Sequence, residues 1–223
     1  MGAPENLRSR VRAELTGEIV AAARVELTEV GAANLSLRSV ARRLGMVPSA
    51  LYRYFPSRDS LLTALIIEAY EDVGAVAATA RDGVDGLAGW LAVCRAVRAW
   101  AGAQPQRWAL IYGSPVVGYA APDATVDAAL RITEVVAGLV GPAGPPPELL
   151  PPAAHLEEIV GPMKEVLLSD RPAEVVAAAL MAWTSLIGMV SLEQFGHYKG
   201  ATTDFGAVFD YSMEVAGRLT GLS

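Results

Sequence analysis

The sequence predicts an all-α protein, with an N-terminal three-helix domain followed by a larger helical domain. Three observations carry that expectation. Apolar residues recur at spacings of three and four along nearly the whole 223-residue chain, the mark of one-sided helices. Clusters of glycine, proline and aspartate punctuate those segments. A hydrophobic share of 52% supplies two cores and excludes a disordered chain.

The elements follow in order. Leu7 to Val30 reads as a first helix, with Leu15, Ile19, Ala22, Ala23 and Leu27 on one face and Gly31 as its left-handed stop. Ser36 is placed to cap a second helix running to Leu44, buried through Leu37, Val40, Ala41 and Leu44. Gly45 supplies a turn, and Pro48 suits the first turn of a third helix that Leu51 and Phe55 bury at i, i+4. Ser49, Ala50, Tyr52, Arg53 and Tyr54 are then left pointing outward. Ser57 caps a fourth helix, which continues through Leu61, Leu62, Leu65, Ile66 and Ala69 toward Ala80 and links a domain of residues 1–60 to one of residues 61–223.

Asp82-Gly83 and Asp85-Gly86 break the chain before helices at Leu87 to Gly102 and Pro105 to Tyr112. A loop from Gly113 to Asp123 precedes a helix from Thr125 to Val140. Gly141 to Pro152 holds six prolines and reads as a stiff extended connection. Helices at His155 to Leu168, Pro172 to Phe195 and Phe205 to Leu219 complete the chain.

Val175 to Leu192 is an uncharged run of eighteen residues, long enough to raise the question of a membrane span. Its alanines, Thr184, Ser185, Gly188 and Ser191 argue against one. The run is instead apolar on two faces, and a helix of that kind is buried on both sides. Val176, Leu180, Trp183, Ile187 and Val190 suit the domain interior. The smaller stripe of Ala178, Ala182, Ser185 and Met189, with Phe209 and Met213 from the last helix, suits close approach to a second copy in a four-helix homodimer interface.

Charge is unevenly placed. The net charge is −6, yet residues 1–60 hold nine arginines against six acids and the rest of the chain nine bases against eighteen acids. The basic balance therefore lies with the two short helices at 36–55, whose spacing is that of a DNA-reading helix-turn-helix. One cysteine, Cys94, and two distant histidines give no metal cage, and no nucleophile, base and orienting partner can be assembled for an enzyme. No cofactor is implied. The N-terminus lacks an apolar leader, which points to the cytoplasm.

Leu51-Tyr52-Arg53-Tyr54-Phe55-Pro56-Ser57-Arg58-Asp59-Ser60-Leu61-Leu62 resembles the recognition helix and following helix of the TetR family of transcriptional regulators. With Ser36 to Gly45 and the preceding long helix, the resemblance covers about residues 10 to 70. It implies a homodimer that binds a palindromic double-stranded operator, with the rest of the chain as a ligand-binding and dimerisation domain. The expected phosphate anchors are Ser36, Tyr52, Tyr54 and Arg58, while Arg53, Ser49 and Ala50 beside Pro48 face base edges. Arg38 suits either role, and Arg42 and Arg43 fall on a solvated face. Arg58 stands out because a cation in a helix's first turn opposes the dipole, so a nearby phosphate would account for it.

For the second domain, large side chains amid alanine, valine and leucine suggest a cavity for a small apolar or aromatic ligand. Trp90, Cys94, Trp108, Tyr112, Met163, Trp183 and Ile187 are its candidate lining. Ile187 stands before Gly188 where a subset of similar C-terminal domains carries a histidine. The expected function is a ligand-released repressor. A constitutive DNA binder without ligand and a helical carrier or enzyme are the alternatives.

Overall fold

A computed structural model describes residues 3–139, 155–167 and 170–223. The proline-rich connection expected at Gly141 to Pro152 lies outside the described residues. Ten helices and no strand occur among those described: α1 (Ala3–Asn34), α2 (Leu37–Arg43), α3 (Pro48–Leu51), α4 (Arg58–Arg81), α5 (Gly86–Ala103), α6 (Pro105–Tyr112), α7 (Ala124–Ala137), α8 (Leu156–Leu167), α9 (Ala173–Gln194) and α10 (Phe205–Leu219).

The chain forms two compact units, one of residues 1–69 with 106–126 and one of residues 70–105 with 127–223. The first unit thus reaches nine residues past the boundary expected from the sequence and takes in α6 and its following loop. Its core is Ile19, Leu27, Val40, Leu51, Leu61, Leu62 and Leu65, with Leu110, Val116 and Tyr119 packed against it. Polar contacts tie the same parts together. Glu68 of α4 lies 3.3 Å from Arg24 of α1 and 3.5 Å from the buried Arg107 of α6, and the Thr63 and Tyr119 hydroxyls are 2.9 Å apart.

The second unit is built on α5, α9 and α10, with α8 against α9. Trp90, Val93, Cys94 and Val97 of α5, Leu186 and Val190 of α9, and Phe209 and Met213 of α10 are all fully buried or nearly so. Across the same helices, Arg98 grips Glu193 through two hydrogen bonds of 2.7 and 2.8 Å while its guanidinium lies over Phe205 and Phe209. Arg95 makes a matching two-bond contact with Asp210. A second cluster packs Val160 and Met163 of α8 against Val176 and Ala179 of α9.

α9 is the one described helix long and apolar enough to cross a membrane. Val175, Ala179, Ala182, Leu186 and Val190 form its inward face. This phase corrects the expected division of its stripes. Ala178 and Ala182 are buried inside the protomer, as are Phe209 and Met213 of α10, because α5 and α10 occupy that side. They are not free to face a second copy. Leu180, expected inside, is 41% exposed, and Ser185 and Met189 remain half-buried. The outward face carries Met181, Ser185, Gly188, Met189 and Leu192, beside Tyr198, Ser212, Val215 and Leu219, around an apolar groove of about 360 Å³.

Candidate nucleic-acid interface

The turn between α2 and α3 is set by backbone chemistry. Gly45 has φ 66°, and α2 ends in a Schellman pair: Gly45 N donates to Arg42 O at 3.1 Å and Met46 N to Ala41 O at 2.8 Å. Pro48 opens α3, where its lack of an N–H is harmless. The α-helical part of this segment is shorter than expected, four residues instead of a run to Phe55. Beyond it Arg53 N donates to Ala50 O and Tyr54 N to Leu51 O, the tighter i to i+3 pattern. Phe55 N still reaches Leu51 O at 3.1 Å, and Pro56 ends the segment there, since the residue before a proline is pushed out of the helical region. Leu51 and Phe55 are buried, which turns Ser49, Tyr52 and Arg53 outward and leaves Ala50 half-buried.

Ser36 takes the extended N-cap backbone, and its carbonyl accepts from Val40 N at 3.0 Å, but its hydroxyl makes no capping bond. The hydroxyl therefore stays available in an open groove of about 380 Å³ that Ser36 shares with Arg38, Tyr52, Ser57 and Arg58. Tyr54 is half-buried against the first core, with Arg12 5.4 Å above its ring and Arg12 Nη2 3.3 Å from the Arg53 carbonyl. It belongs to the framework more than to the outer face.

Partnering separates the arginines. The six of the second unit, Arg81, Arg95, Arg98, Arg131, Arg171 and Arg218, each lie within 4 Å of a carboxylate. In the first unit Arg24 and Arg107 hold Glu68. Arg43 holds Glu29 and Glu26, hydrogen bonds that raise its pKa further above the ordinary arginine range. Arg38, Arg42 and Arg53 have no carboxylate partner among the described residues, and all three are exposed. Arg58 is different again: its guanidinium is directed to the Leu35, Ala32 and Ala33 carbonyls. Its place at the start of α4 thus has an internal explanation that the sequence did not reveal.

The residues expected to line a ligand cavity do not gather in one unit. Trp108 and Tyr112 lie in the first compact unit, their rings tilted by 46° with centroids 4.5 Å apart. In the second, Trp90 is sealed in the core with its Nε1 donating to Met213 O at 2.6 Å, Cys94 is fully buried, and Met163 packs in the α8–α9 cluster. Trp183 and Ile187 are half-buried on α9.

A core drawn from α1 to α4, a glycine-turned helix pair and exposed arginines without a carboxylate among the described residues define a helix-turn-helix DNA-binding protein. The sequence matches the family model for bacterial regulatory proteins of the tetR family over residues 19–65 and the tetracyclin repressor-like C-terminal domain over residues 90–216. The chain is 41% identical to the HTH-type transcriptional regulators Rv1816 of Mycobacterium tuberculosis and Mb1846 of Mycobacterium bovis, the match covering 91% of this chain and 91% of each relative. Among solved structures, the regulatory protein SCO4313 superposes with a TM-score of 0.79 at 31% identity, covering 93% of this chain and 97% of that one. A TetR variant from Acinetobacter baumannii AYE in complex with minocycline shares the fold at 16% identity, with a TM-score of 0.53, covering 91% of this chain and 93% of that one. The chain belongs to the TetR family and is a helix-turn-helix transcriptional regulator.

Proposed function

We propose that this regulator is a homodimeric repressor, acting in the cytoplasm, that leaves a palindromic operator when an apolar or aromatic small molecule binds its second unit. The observation that carries the DNA half is the partnering of arginines: among the described residues Arg38, Arg42 and Arg53 of the helix-turn-helix, like Arg10 and Arg12 of α1, have no carboxylate, while every arginine of the second unit has one. A guanidinium without a carboxylate is free to meet a phosphate or a guanine edge. Arg38, the Ser36 hydroxyl and the Tyr52 hydroxyl share one groove and serve as backbone contacts. Arg53, Ser49 and Ala50 serve as base readers. Two copies would set two reading segments into successive major grooves about 34 to 36 Å apart.

Dimerisation is assigned to the outward face of α9 and α10, supported by its exposed apolar residues Met181, Leu192, Val208, Tyr211 and Val215. The ligand half is supported by the half-buried Trp183 and Ile187 on α9, and by the minocycline held in the Acinetobacter relative of the same fold. The DNA assignment is tested by salt titration of binding to a duplex from the region upstream of the protein's own gene. Arg38→Ala should lower affinity and flatten the plot of log affinity against log salt by about one unit. Tyr52→Phe should weaken all sequences equally at unchanged slope, and Arg53→Ala should relax sequence preference by about 1–3 kcal/mol at one base pair. Salt-independent binding, or no binding at low salt, would sink the reading.

A further inference from the structure

The helix dipole disfavours a cation at the first position of α4, so Arg58 needs a compensating partner. The partner it has is the end of another helix. α1 breaks at Gly31, where φ is 73° and ψ 166°, and the carbonyls beyond the break cannot find donors four residues on. Asn34 Nδ2 takes the Val30 carbonyl at 3.1 Å. Arg58 takes three more, with Nη2 donating to Ala32 O at 2.7 Å, which Leu35 N also reaches at 3.4 Å, and to Ala33 O at 3.1 Å, and Nε donating to Leu35 O at 3.1 Å. Three of the five N–H donors of one planar fork are thereby committed to three acceptors of one chain corner. The positive charge also sits at the negative end of α1, where the dipole favours it.

This corner immediately precedes Ser36 and Arg38, and across the groove from them stand Tyr52 and Ser57. We propose that Arg58 is a positioning residue: it locks the corner between α1 and α2 and so fixes Ser36 and Arg38 opposite Tyr52, while the salt-dependent phosphate contact belongs to Arg38. The assignment rests on the DNA-binding reading above. Turning Arg58 toward a phosphate would leave the Ala33 and Leu35 carbonyls without their donor; water can replace it at the exposed Ala33 carbonyl, but stripping the part-buried Leu35 bond opposes that motion. Only the Nη1 amino group is left over for anything else.

The test uses the full chain and a mixed-sequence duplex of about 40 base pairs, which needs no known operator because phosphate contacts are sequence-independent. Arg38→Ala is the benchmark, with a slope flatter by about one unit. Arg58→Ala and Arg58→Lys should each lower affinity about tenfold at every salt concentration with the unmodified protein's slope, because lysine keeps the charge but lacks the fork. Both should also speed hydrogen exchange of the amides between Ala33 and Arg38 about tenfold. Should Arg58→Ala not fold, Arg58→Lys decides. Affinity restored by lysine, or a slope flattened by Arg58→Ala as by Arg38→Ala, would overturn the proposal and make Arg58 a phosphate anchor. Failure of the unmodified protein to bind the duplex would instead overturn the DNA reading and the purpose assigned to the lock, an outcome distinct from lysine rescue in a protein that binds.

Discussion

At Gly217 of α10, a side-chain carbon would stand 2.6 Å from Trp90 Cδ1 and 2.7 Å from Leu87 Cδ1. The missing side chain is what lets α10 approach α5 closely enough for Trp90 to reach the Met213 carbonyl. Two effects oppose each other in Gly217→Ala. Alanine gains about 1 kcal/mol of helix propensity over glycine. Overpacking a filled core costs about 1–3 kcal/mol, and straining the buried Trp90 hydrogen bond adds about 1 kcal/mol. The variant should therefore lose about 1–3 kcal/mol in urea unfolding. Unchanged or greater stability would show that the α5–α10 contact yields. Cys94 gives a second expectation from the same core. Burial, first among its influences, pushes the thiol well above its usual range, so little reactive thiolate forms at neutral pH. A thiol reagent should leave the folded protein unlabelled and modify one site after denaturation, and fast labelling of the native state would contradict the burial.

Helix ends with a chemical stop were legible in the sequence. α6 begins at Pro105 and ends at Tyr112 as expected, and α10 occupies the anticipated Phe205–Leu219. Elements whose limits depend on neighbours were less so. After Leu51 the chain of α3 tightens to i to i+3 bonds at Arg53 and Tyr54, which no residue there announces, and Arg58 reads as a phosphate anchor until the open corner of α1 is seen beside it. α9 shows the limit most clearly. A helix apolar on two sides has no polar face to fix its rotation, so its inward stripe is decided by α5 and α10, which alternation within α9 does not encode. Opposite mutational outcomes are expected on the two faces. Ala182 is 2% exposed, and Ala182→Arg should unfold the protomer by burying an unpaired charge. Val215 is 40% exposed on the outward face, and Val215→Arg should leave helicity and operator-free folding intact while separating the dimer in sedimentation. A Val215→Arg protein that sediments as a dimer would remove that face from the interface.

The chain passes from one unit to the other within α4, at the first residue of α6 and within α7, so the DNA-binding unit is assembled from two separate stretches of sequence. The second unit neutralises its arginines internally, and three arginines of the helix-turn-helix have no carboxylate partner among the described residues. Such a molecule responds to a ligand only if the compound binds its operator-free state better than its operator-bound state. That condition fixes a thermodynamic symmetry. A compound that weakens operator binding by a given factor must itself bind more weakly, by the same factor, to the protein already on its operator. A panel of apolar aromatic compounds, screened by thermal shift, should contain one that raises the melting temperature. For that compound, calorimetry with and without operator and anisotropy with and without compound should return one coupling factor, of about 5 to 150. Trp183→Ala should change which compounds are preferred and leave operator affinity within twofold or so of the unmodified protein, since Trp183 belongs to the second unit. A compound that raises the melting temperature yet leaves operator affinity untouched has equal affinity for both states, and the protein would then be a ligand-blind regulator on the same fold.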